Sequence, residues 1–203
     1  PLGCPSDDDD VAGDDDTTGD DDTTSDDDSA DDDTTEEPIV DNDEDGFEPD
    51  VDCDDGDPAV TPVWVSVTGA EEGDGSWLDP FPTVAQGLAA GTGCVRLMGG
   101  IFREHGMEIS GAVTLIGDYG VEATRIDGDG LGRIFTVTAG PSLIVRDVHL
   151  RNGASTDGGC LHLTEASLIL EDAIVDDCVA SESGGAIFAD TTPVVLSDTT
   201  IKN

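Results

Sequence analysis

The residues whose types and spacing suit chemistry begin at Asp41-Asn42-Asp43-Glu44-Asp45-Gly46-Phe47. Carboxylates alternate there with spacers, and Gly46 supplies the sharp turn that lets a backbone wrap one cation. With Asp41 at position 1, Asp43 falls at 3, Asp45 at 5, Gly46 at 6, the Phe47 carbonyl at 7 and Asp52 at 12. These are hard oxygen donors, which favour Ca²⁺ over zinc or copper. The expected ligand set is therefore Asp41, Asp43, Asp45, the Phe47 carbonyl and Asp52, holding a structural Ca²⁺. Two features limit the chemistry. Asp52 is shorter than the Glu that reaches such an ion bidentately, and Pro38, Pro49 and Pro58 interrupt any helix on either side, which excludes a helix-loop-helix sensor. The plain alternative is that the stretch continues the acidic run before it, but the alternation, Gly46 and Phe47 break that run's period.

The elements that must position this loop divide sharply by charge. The chain has 203 residues and a formal net charge of -41, and 28 of its 48 acids lie in residues 1–57, where there is no Lys or Arg. Such a balance excludes nucleic-acid backbones and anionic membrane surfaces as partners. Asp triplets at 14–16, 20–22 and 26–28 recur every six residues between Thr, Ser and Gly. Residues 1–37 thus have no apolar surface to offset backbone entropy, and they are expected to be a disordered, solvated spacer. No run approaches the roughly 18 apolar residues of a spanning helix.

After Pro62 the composition turns to Val, Ile, Leu, Thr and Gly in short alternating runs such as Val63-Trp64-Val65-Ser66-Val67, which read as strands. One helix is expected, with Thr83 and Gln86 as a capping box, Val84 and Leu88 on one face and Gly91 at its end. Repetition then sets the architecture. Leu143, Val145, Asp147, Val148, Leu150 and Asn152 return as Leu168, Leu170, Asp172, Ala173, Val175 and Asp177, and again as Val194, Leu196, Asp198, Thr199, Ile201 and Asn203. The steps are 25 and 26 residues, and Gly158-Gly159 returns at Gly184-Gly185. Such a period marks a solenoid. Units of two or three short strands, stacked so that Leu143 lies over Leu168 over Val194, predict an all-β parallel β-helix with a short N-terminal capping helix. A leucine-rich repeat lacks support in the Leu spacing. The expected organisation is an arm over 1–37, a metal motif over 38–62 and the β-helix over 63–203. The sequence stops inside a repeat, so further coils are expected beyond Asn203.

Several resemblances add to this. The Asp41–Asp52 register is that of an EF-hand-type loop. The stretch to Pro62, with Asp52-Cys53-Asp54-Asp55 and Asp57-Pro58, closely resembles an Asp-rich metal-binding motif of secreted bacterial proteins and, more distantly, thrombospondin type 3 calcium repeats. That likeness implies Ca²⁺ bound between domains as a folding staple. Residues 63–203 resemble the right-handed, pectin-lyase-like β-helix superfamily, and Gly184-Gly185-Ala186-Ile187 is similar to an element of polymorphic outer-membrane protein repeats. Leu2-Gly3-Cys4 followed by a polar linker resembles the lipobox of bacterial lipoproteins, which implies lipidation at Cys4 and an extracellular or outer-membrane-surface location.

Polysaccharide lyases of this superfamily use Arg or Lys beside carboxylate-held Ca²⁺, which draws attention to Arg146, His149 and Arg151 near Asp147 and Asp172. A residue repeated at each coil's bend is more simply a turn former, however, and Asn152, Asp177 and Asn203 read as a turn ladder. His105, His149 and His162 are isolated, and Gly128, Gly130 and Gly132 read as a turn. No catalytic residue is assigned. Beside Cys4, Cys53, Cys94, Cys160 and Cys178 form an even set suited to an oxidising compartment, with Cys160 and Cys178 placed on neighbouring strands of one coil where a bridge is feasible. The expected function is a secreted or surface-anchored, monomeric β-helix acting as a structural, adhesion or glycan- or protein-binding module. The alternative is a polysaccharide lyase or glycoside hydrolase.

Overall fold

The computed structural model describes residues 40–202. The expected arm of residues 1–37, with Cys4, and the turn residue Asn203 lie outside them. The acidic loop and the strand-rich body form one compact unit. No helix among the described residues is long and apolar enough to cross a membrane.

Strand β1 (Pro62–Val65) and helix α1 (Val84–Ala90) open the body. The first complete coil holds β2 (Cys94–Leu97), β3 (Gly100–Arg103) and β4 (Met107–Ile109), and the second holds β5 (Val113–Gly117), β6 (Thr124–Asp127) and β7 (Phe135–Thr138). The third has β8 (Ser142–Arg146), β9 (His149–Arg151), β10 (Ala154–Asp157) and β11 (Leu161–Thr164). The fourth has β12 (Ser167–Glu171), β13 (Ile174–Asp176), β14 (Val179–Ser183) and β15 (Ile187–Asp190), before β16 (Val194–Ser197) and β17 (Thr200–Ile201). Strands pair in parallel with their equivalents one coil away, in sheets ordered β1-β2-β5-β8-β12-β16, β17-β13-β9-β6-β3, β15-β11-β7-β4 and β10-β14. The architecture is a parallel β-solenoid of about four turns.

The repeat period is the length of one coil. Leu143 stands opposite Leu168, and Leu168 opposite Val194, while Val145, Leu170 and Leu196 form the next row. Leu143, Val145, Leu168 and Leu170 are fully buried, as are Leu150 and Val175 in the neighbouring sheet. Each such side chain contributes about 1.5–3 kcal/mol by leaving water. The third and fourth coils carry one strand more than expected, because Ala154–Asp157 and Val179–Ser183 pair with each other across a register shift.

Corners are made by residues that tolerate a left-handed backbone. Asp147, Asp172 and Asp198 have φ of 56°, 46° and 46°, and Asn152 and Asp177 have 53° and 50°, so both sets are turn ladders rather than a row of acids aimed at a substrate. The repeated glycine pair has its own cause. Gly158 and Gly184 sit at φ 57° and 58°, and a Cβ on them would lie 2.0 and 2.4 Å from the carbonyl oxygens of Leu161 and Ile187.

Helix α1 forms as its caps predict. Thr83 accepts from the Gln86 N–H, and the Gly91 N–H returns to the Leu88 carbonyl at φ 73°. Glu104, twenty residues on, accepts from the Val84 and Ala85 N–H groups at 2.7 and 3.0 Å, taking up two of the helix's free donors.

Cys160 and Cys178 are disulfide-bonded with Cα atoms 5.5 Å apart. Cys160 precedes β11 in the third coil and Cys178 precedes β14 in the fourth. The two lie 18 positions apart, less than one repeat, and the bridge that the sequence made feasible runs through the core, where both residues are fully buried.

Candidate metal centre

The Asp41–Asp52 loop is shaped by its own carboxylates. Asp41 accepts from the Glu44 N–H at 2.7 Å through Oδ1 and from the Gly46 N–H at 2.9 Å through Oδ2. Asp43 Oδ1 accepts from the Asp45 N–H at 3.1 Å, and Asp45 Oδ1 from the Phe47 N–H at 2.9 Å. Gly46 takes φ 98°, as a tight wrap requires, and Glu44 takes 62°. The odd-numbered acids turn inward and are half-buried while Asn42, Glu44 and Gly46 face water. Donor atoms of Asp41, Asp43 and Asp45 lie within 4.8 Å of one another.

In three of these acids one oxygen holds the backbone and the other has nothing to hold. The Oδ2 atoms of Asp43, Asp45 and Asp52 are buried without a hydrogen-bond partner. Asp52 itself is only 8% exposed, its Oδ1 accepting from the Asp54 N–H at 3.2 Å. Desolvation pushes the Asp43 carboxyl above its ordinary value; the Asp45 N–H opposes this, and the charges of Asp45, Asp52 and Asp41 add to it. Buried carboxylate oxygens without partners are costly, and a hard cation relieves that cost where carboxylate donors gather, as those of Asp41, Asp43 and Asp45 do. The donor set thus fits Ca²⁺. Among the expected ligands the structure brings Asp41, Asp43 and Asp45 together and sets Asp52 where its charge acts on Asp43, while the Phe47 ring lies 6.0 Å from Trp64.

The solenoid holds this loop from outside. Arg96 on β2 donates to the carbonyls of Val51 and, at 3.2 Å, Asp50, and through Nε to Asp118 at 2.8 Å. Cys53 is disulfide-bonded to Cys94 on the same strand, and Asp55 accepts from the Asn42 N–H at 3.0 Å to close the loop's start. Neither latch follows from the ligand spacing. The available signal was Arg96 itself, the first basic residue of the chain, on a strand face two residues from a cysteine.

The basic residues singled out beside Asp147 and Asp172 have other partners. Arg146 pairs with Glu171, His149 with Asp176 at 2.8 Å, and Arg151 with Asp127 at 3.5 Å and Asp177 at 3.3 Å. In register along one sheet run Arg103, Asp127, Arg151 and Asp176, with Lys202 3.8 Å from Asp176. Alternating charges one coil apart neutralise each other, so this row reads as an inter-coil ladder. His149 fills a buried position of β9 within it, and His162, on β11, stacks on Phe188 at 4.8 Å.

The fold and site define a parallel β-solenoid carrying an acidic oxygen-donor loop on its first coils. Comparison with protein-family models, with curated proteins and with solved structures finds no match.

Proposed function

We propose that this chain is a calcium-stabilised, extracellular β-helix binding module of the pectin-lyase-like type, held at a bacterial surface by its acidic arm and a lipid on Cys4. Ca²⁺ is the staple: Asp41, Asp43, Asp45, the Phe47 carbonyl and Asp52 hold it and so fix the loop against the first coils. The observation carrying this reading is the set of buried, partnerless Oδ2 atoms on Asp43, Asp45 and Asp52. Two disulfides within one small body support an oxidising, extracytoplasmic setting. Glycans or cell-surface proteins are the partners such a module displays itself to, with the chain acting as a monomer. The mutual pairing of Arg146, His149 and Arg151 with Glu171, Asp176, Asp127 and Asp177 leaves binding as the better supported activity.

Calorimetric titration of the full chain with CaCl₂ tests the metal. One saturable site is expected above the weak background of the Asp-rich arm, and it is lost in Asp43→Asn/Asp45→Asn. A titration in which parent and double variant are indistinguishable rejects the assignment.

A further inference from the structure

Three of the chain's eight aromatic residues, Trp64, Trp77 and Tyr119, meet where the acidic loop joins the first coils. Trp64 faces outward from β1, in register with Arg96 on β2, and Tyr119 and Asp118 follow the end of β5. The three rings, with Val51 from the loop, wall a hollow of about 480 Å³ whose polar groups are Arg96 and Asp118. A second hollow of about 540 Å³ adjoins it, sharing Trp64 and Trp77 and adding Phe47 and Leu78. Trp64 is buried and meets Trp77 edge-on at 6.0 Å, whereas Trp77 is 50% and Tyr119 60% exposed.

Hydrogen bonds hold much of this surface in place. The Trp77 turn is pinned by the Trp64 N–H to the Gly75 carbonyl at 2.8 Å, the Gly75 N–H to the Asp79 carbonyl at 3.0 Å and the Ser76 N–H to Asp74 at 2.9 Å. Arg96 is fixed by Asp118 and by the loop carbonyls. Rings left in water around a fixed polar pair are the usual make-up of a small-ligand site. The charges narrow its occupant. The pair makes the floor neutral, the strongly acidic chain repels anionic ligands, and a cation finds the hollow's carboxylate already held by Arg96. A purely apolar ligand would strand Arg96 and Asp118 without water. What remains is a neutral molecule with apolar ring faces and hydroxyls at its edges.

We propose that the hollow walled by Trp64, Trp77 and Tyr119 over the Arg96–Asp118 pair binds a neutral saccharide, stacking sugar rings on Trp77 and Tyr119 and offering its polar pair to their hydroxyls. This deepens the binding-module reading by naming its ligand class, and it rests on that reading but not on the metal. Asp118 is the one carboxylate lining this hollow among the described residues and is engaged by Arg96.

Both tryptophans of the chain line the hollow, so intrinsic fluorescence of the full, Ca²⁺-saturated protein reports on it directly. The probes are β-1,4-linked glucose, β-1,4-linked N-acetylglucosamine, α-1,4-linked glucose and β-1,4-linked mannose hexasaccharides, with a galacturonate hexasaccharide and a basic proline-rich peptide beside them. A saturable fluorescence change is expected with at least one neutral hexasaccharide. Calorimetry should show its affinity at least ~10-fold weaker in Trp77→Ala and in Tyr119→Ala, whose melting temperatures stay close to the parent's because both rings are half-exposed. No response to any neutral hexasaccharide up to ~10 mM, in the affinity range just below the weakest specific binding, overturns the proposal. So does a response that both variants retain, or one confined to the galacturonate or the peptide. Because the calcium titration is read separately, a parent protein that takes up Ca²⁺ but binds no neutral hexasaccharide rejects this inference alone.

Discussion

Asp147 shows how one side chain serves a turn and pays in charge. Its φ of 56° suits Asp or Asn, but desolvation raises its carboxyl above the ordinary 3.8, the Asp172 charge one coil away raises it further, and Arg146 opposes both. A carboxyl raised on folding favours the folded state below its unfolded value, and that contribution is lost as pH rises through the folded value. At neutral pH the ionised group is therefore a net cost. Asp147→Asn keeps the left-handed turn and is expected to melt higher than the parent at pH 7, with the difference vanishing below pH 3.8. Thermal melts across that range check it, and a gain that persists at low pH would point to the turn rather than the charge. Glu165 at φ 50° has neither the short polar side chain nor the freedom that such a backbone favours. Glu165→Asn should stabilise by up to ~1 kcal/mol in denaturant unfolding.

At the scale of elements, the two disulfides do different work. Cys53–Cys94 joins the acidic loop to β2 across 41 positions, while Cys160–Cys178 joins successive coils across 18. Loop-closure entropy makes the first worth about 4 kcal/mol and the second about 3 kcal/mol. Denaturant unfolding of Cys53→Ser/Cys94→Ser and of Cys160→Ser/Cys178→Ser should reproduce that order. Limited proteolysis separates them further: residues 41–55 become susceptible in the first variant and stay protected in the second. Equal protection in both would mean that Arg96 and the carbonyls of Asp50 and Val51 hold the loop without the bridge.

Across the whole molecule, stability comes from columns that run through every coil. Leu168 is fully buried between Leu143 and Val194, whereas Leu131, in the turn between β6 and β7, is 74% exposed. Leu168→Ala is expected to cost about 3–5 kcal/mol through lost burial and the cavity left behind. Leu131→Ala should cost about 0.5 kcal/mol or less. Equal losses by denaturant unfolding would contradict the stacking. The parallel pairing of strands 25 or 26 residues apart also gives the fold few local contacts, so refolding in the millisecond-to-second range is expected.

The sequence by itself determined the coil. Leu143, Leu168 and Val194, the repeated Asp corners and the glycine pair recur at one period because each coil meets the same steric demands, so the periodicity carries the geometry. Helix α1 was legible for a similar reason, since its capping signals are local. The convergence of Asp41, Asp43 and Asp45 was legible too, because an alternating loop around one glycine places its own side chains. Only the tertiary structure decided what joins distant segments: Cys53 with Cys94, Arg96 with the loop carbonyls, Glu104 with the start of α1, and the meeting of Trp64, Trp77 and Tyr119. None of these pairs repeats or sits at a characteristic spacing. Their partners are chosen by which coil faces which loop, and that depends on turn lengths and on the extra strands β10 and β14, which a one-dimensional pattern does not encode.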